Sequence, residues 1–120
     1  MPILMVYGVD PFNLHAQGER QLLVEKLEDI VVSVEELNVE SSDITVFFIP
    51  VLTKYLDPKD NDIIVIIKGM FSRSERTPQV KQELADRVKA FLREEFPNAP
   101  LIEVMTESLI PGEGYSSSVL

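Results

Sequence analysis

A chain of 120 residues with 45% apolar side chains can bury one sizeable core and is too apolar to stay disordered. Its 20 acidic side chains outnumber 11 basic ones. The resulting net charge of −9 excludes nucleic acid and anionic membrane as main partners, because both demand a basic face. With no cysteine and a single histidine, disulfides, thiol catalysis and a multi-histidine metal site are excluded as well.

In chain order, the first element is a strand over 3–9, "ILMVYGV", with Pro2 immediately before it. Proline has no N–H to give a ladder, yet it is tolerated as the first residue of a strand. The start lacks the basic residues and apolar stretch of a signal peptide, and no apolar run approaches the ~18 residues of a membrane span. A soluble, cytoplasmic protein is therefore expected. A loop, "DPFNLHAQGE", leads into a helix over 19–37, and "DITVFFIP" forms a second strand. Beyond the turn-rich "VLTKYLDPKDND" comes a third strand, "IIVIIKGMF". Thr77 is placed to cap a second helix, with Pro78 in its first turn, where a missing N–H costs nothing. That helix runs to about 96, and "LIEVMTESLI" is the last strand. The final "GEGYSSSVL" reads as a loose tail.

The order is βαβ followed by βαβ, which predicts an α+β domain with two helices on one face of a mixed four-stranded sheet. Its modules span 1–56 and 57–111, and the tail spans 112–120. Leu23, Leu27, Ile30 and Val31 form the inward stripe of the first helix; Leu84, Val88, Phe91 and Leu92 repeat it 61 residues later. The opening strands align Ile3 with Ile63, and the closing strands align Ile44 and Val46 with Ile102 and Val104. An internal duplication accounts for this register. The strands "ILMVY", "VFFI" and "IIVII" do not alternate in polarity, as a sheet with one wet face should. At about 25 cal/mol per Å2, leaving such a face in water forfeits many kcal/mol. The second face is therefore expected to pack against another copy of the chain.

These features resemble the tautomerase superfamily, with its proline after Met1, tandem βαβ modules and sheets packed inside an oligomer. The segment "KGMFSRSERTPQVKQEL" sharpens the likeness. In proteins similar to 4-oxalocrotonate tautomerase and 5-carboxymethyl-2-hydroxymuconate isomerase, a Gly-rich turn ends a module's first strand, and a GRS-type motif opens its helix. Here Lys68-Gly69 closes the strand and Ser72-Arg73-Ser74 takes the motif position, with serine for its glycine. "TVFFIPVLTKY" is similar to the second strand of that superfamily.

The resemblance implies a cofactor-independent isomerase acting on a small anionic keto or enol acid, assembled as a homo-oligomer, most simply a trimer. After removal of Met1, Pro2 would present a secondary amine as general base. Burial and a nearby cation lower the basicity of such an amine toward neutrality, so that it can both take and return a proton. Arg73 would hold the carboxylate or the developing enolate with its planar fork. Lys54 and Tyr55, after the second strand, fall where the family places further substrate contacts.

Other residues have plainer readings. Arg76 and His15 are expected at the surface, Asp10 in turn chemistry, and Met5 and Met70 in the core. Glu25, Glu28, Asp29, Glu35 and Glu36 form a solvated helix face. The first module lacks the GRS-type turn, since "DPFNLHAQGER" follows Val9. Tyr115 is either part of a free tail or a reach into a neighbour. The competing reading is a non-catalytic oligomeric binding module, ferredoxin-like or tautomerase-like. It is told apart by whether each module pairs its own two strands in parallel or places the first and third strands together at the centre.

Overall fold

The structure is a computed structural model that describes residues 2–9, 17–49 and 62–120. Strand β1 (Ile3–Tyr7), helix α1 (Gln17–Ser33) and strand β2 (Thr45–Ile49) make the first half. Strand β3 (Ile63–Phe71), helix α2 (Pro78–Glu95) and strand β4 (Ile102–Leu109) make the second. The sheet order is β2-β1-β3-β4, with β1 parallel to β2, β3 parallel to β4, and β1 antiparallel to β3. Each half therefore pairs its own strands in parallel, which overturns the ferredoxin-like alternative. The first and third strands are also central neighbours, so that adjacency does not separate the two folds as expected.

One face of the sheet carries the core. Leu4 and Val6 of β1 and Ile63, Val65 and Ile67 of β3 are buried. They pack with Leu23, Leu27 and Val31 of α1 and Leu84, Val88 and Leu92 of α2. The helical stripe read from the sequence is thus the packing stripe, in both halves and at the same spacing. The strands correct one alignment. Side chains alternate between faces, so the buried Leu4 and Val6 must match the buried Val65 and Ile67. The strand offset is then 61, as in the helices, and not the 60 that aligns Ile3 with Ile63. In the central ladder Leu4 faces Ile67 and Val6 faces Val65. A 61-residue shift exchanges these two pairs, so an approximate two-fold axis passes between β1 and β3.

Helix α1 stops at Ser33, short of the expected 37. Val34 and Leu37 are buried, which explains the continued apolar spacing, but Glu35–Leu37 form a single 3-10 turn that ends at Asn38 with φ of 51°. The β-branched run Ile30-Val31-Val32 lowers helix propensity here, and the Ser33 hydroxyl donates back to the carbonyl of Ile30. Arg87 of α2 then donates to the Ser33 carbonyl at 3.1 Å, filling one of the acceptors left at the helix end. At α2 the expected cap is present: the Val80 N–H donates to Thr77 Oγ1 at 3.2 Å, with Pro78 in the first turn.

Among the described residues, no helix lies over the opposite face. Ile3, Met5, Tyr7, Ile64 and Ile66 alternate with the core residues and are only half-buried, and Phe47 and Met105 are 52% and 43% exposed. Met70 is in the core as expected, but Met5 belongs to this second face. Among the described residues, no helix is long and apolar enough to cross a membrane.

Candidate functional site

Pro2 is buried directly before β1, and its carbonyl accepts from the Thr45 N–H at 3.1 Å, the first rung toward β2. Its own lack of an N–H is harmless at that position. Because β1 and β3 are antiparallel, the start of β1 lies against the end of β3. Ile3 faces Lys68 in the ladder, and Pro2 is one residue further on. At this point the β3–β4 register slips between Ile67 and Met70, and Gly69 adopts φ of 80°. A bulge at a strand end re-aims the residues beyond it.

Beyond the bulge, Ser72 is held by its N–H to the Leu109 carbonyl at 2.7 Å, and the Arg76 N–H closes a turn onto the Arg73 carbonyl at 3.0 Å. Arg73 is exposed, and among the described residues its guanidinium has no ion-pair or hydrogen-bond partner. The structure therefore brings Pro2 and the Ser72-Arg73-Ser74 segment to one end of the sheet. Lys54, Tyr55 and His15 lie outside the described residues.

Arg76 corrects an expectation. It is not a surface residue but is 6% exposed, and it is the buried charged side chain among those described. Its guanidinium donates from Nη1 to the Phe71 carbonyl at 2.8 Å and from Nη2 to the Leu37 carbonyl at 3.0 Å, while Nε has no partner. Burial lowers its pKa from the ordinary arginine value, the charge of Arg73 lowers it further, and Glu75 opposes both. Two guanidinium groups thus stand close enough to repel at the end of β3, in a chain whose overall charge is −9. An anion at this spot relieves that repulsion.

Lys68, half-exposed, lies 3.8 Å from Glu107, a surface pair worth about 0–1 kcal/mol. Tyr115 is not free: its ring meets that of Phe71 edge-to-face, with centroids 5.0 Å apart, so the tail returns to the same end of β3. A depression of about 300 Å3 between α2 and β4 is lined by Pro78, Lys81, Gln82, Ala85, Val104 and Thr106, and Pro2 does not line it. Among the described residues no cluster of metal-ligating side chains is found.

No protein-family model and no curated protein matches the chain. Solved structures do. A fused 4-OT described as a wild-type symmetric trimer (Q0) superposes with a TM-score of 0.68 at 12% identity, covering 98% of this chain and 94% of that one. N1, a member of the cis-3-chloroacrylic acid dehalogenase family, gives 0.67 at 15% identity, covering 96% and 79%. A second fused 4-OT, an asymmetric trimer (F6), gives 0.64 at 18% identity over 90% and 86%. At such identities the likeness is one of fold, and the α+β architecture is that of these tautomerase-type structures.

Proposed function

We propose that this chain is a cofactor-independent isomerase of the tautomerase superfamily, working as a homo-oligomer, most simply a trimer, on a small anionic keto or enol acid. The observation that carries this reading is the antiparallel register of β1 and β3. It sets buried Pro2 beside the strand end from which the Arg73 turn departs.

With Met1 removed, the Pro2 nitrogen is a secondary amine with a free lone pair. It takes a proton from the carbon next to the keto group, the C–H electron pair forms the C=C bond, and the carbonyl π pair moves onto oxygen. Returning that proton to oxygen or to another carbon completes the isomerisation. Arg73 offers two parallel N–H donors to the substrate carboxylate or to the enolate oxygen as its charge grows. Lys54 and Tyr55, which lie outside the described residues, are assigned in this reading as further substrate contacts. The half-exposed apolar face formed by Met5, Phe47, Ile66 and Met105 supports the oligomer, because it is the part of the sheet that α1 and α2 do not cover.

The test has two steps. Intact mass of untagged protein from its native host should lack one methionine, and Pro2→Ala should slow phenylpyruvate enolisation by at least about 100-fold with the oligomer preserved. Retention of Met1 leaves the Pro2 nitrogen an amide, and equal activity in the variant removes its role. Either result turns the reading to a binding module on the same fold.

A further inference from the structure

The turn that carries Arg73 is tied at three places. Ser72 is fixed to β4 through the Leu109 carbonyl, and the turn closes on itself through Arg76 N–H to Arg73 carbonyl. The third tie is the Arg76 side chain. It bridges the Phe71 carbonyl, at the end of β3, to the Leu37 carbonyl in the α1–β2 connection, 39 residues away in sequence. It is also the tie that reaches from this turn to the first half of the chain, the half that begins with Pro2.

We propose that Arg76 is a positioning residue: by strapping the end of β3 to the α1–β2 connection it sets the place of the Arg73 guanidinium relative to Pro2. This rests on the reading of Arg73 as the carboxylate contact. Burying a guanidinium is expensive, and two main-chain acceptors with Nε left partnerless is an incomplete set of partners. A purely structural filler of that volume needs no charge. A planar fork that donates to carbonyls on two different elements does need one, and lysine's compact ammonium lacks that fixed fork geometry.

Phenylpyruvate affinity, measured by NMR titration together with KM and kcat, tests this in wild type, Arg73→Ala, Arg76→Ala, Arg76→Lys and the double variant. Arg76→Ala should weaken binding about tenfold, the scale of one charge-assisted hydrogen bond weakened, with kcat much less affected. Arg76→Lys should recover part of that loss. The double variant should bind no worse than Arg73→Ala alone, because a residue acting through another adds nothing once that other is gone. Additive losses, or unchanged affinity in Arg76→Ala, overturn the positioning role. Should Arg76→Ala fail to fold by circular dichroism, the same cycle is read with Arg76→Lys. No effect of Arg73→Ala, or no binding by wild type, overturns instead the reading of Arg73 on which the proposal stands.

Discussion

Gly8 shows how tightly a single position is fixed at the end of β1. Its φ is 92°, and a Cβ built there would lie 1.9 Å from the Asp62 carbonyl oxygen, a main-chain atom that cannot swing away. Gly8→Ala should therefore cost about 3 kcal/mol or more, since left-handed strain and a backbone clash add. Gly112 has a similar φ of 82° but open space around it, so Gly112→Ala should cost about 1 kcal/mol. Urea unfolding of the two variants separates strain from collision, and equal losses would remove the clash from the argument. Gly8 stands 61 residues before Gly69, and Val9 before Met70, both of the latter pair buried. The sequence carried that match openly; the eye passes over it because the residues that follow differ so much. Arg76 was not legible in the same way. Its acceptors are main-chain carbonyls, one of them 39 residues distant, and a carbonyl leaves no mark in a sequence.

Elements were legible wherever the apolar period had a single interpretation. Both helical stripes follow directly from it, because their side chains meet the same core. The end of α1 did not, since Val34 and Leu37 keep the helical spacing while the chain has already tightened into a 3-10 turn. Strand pairing was legible only through the family likeness: the element order alone permits either parallel or antiparallel pairing within a half. The start of α2 offers a direct check. Thr77→Ala removes the acceptor of the Val80 N–H and should destabilise the protein by about 1 kcal/mol, while Thr77→Ser should cost much less. Chemical denaturation of both variants measures it, and equal losses would show that the hydroxyl bond is not what Thr77 contributes.

For the whole molecule, the proposed association rests on the sheet face that α1 and α2 leave uncovered. Ile3, Met5, Ile64 and Ile66 line its middle, Phe47 and Met105 its two edges. If copies of the chain cover one another there, folding and association are linked, and the melting temperature should fall by at least about 5 °C on hundredfold dilution. A concentration-independent melt together with a monomer mass in sedimentation would refute the association. That this face is apolar was legible from strands that fail to alternate. The substrate was not, because carboxylate recognition by an arginine is common to many acids and no other polar side chain in the described site narrows it.

The approximate two-fold axis between β1 and β3 makes the two ends of the sheet alike in backbone, but a polypeptide begins only once. The residue that the axis matches to Pro2 is Ile63, whose nitrogen is an ordinary peptide amide donating to the Leu101 carbonyl at 2.8 Å. No proteolytic trimming of the N-terminus can turn that nitrogen into an amine. On the proposed reading, joining two modules in one chain gives one candidate amine for every two βαβ units. It also releases the sequence after Val9 from any duty toward a chain start at its own end of the sheet. The divergence of "DPFNLHAQGER" from the turn that follows Gly69 is what such a release permits.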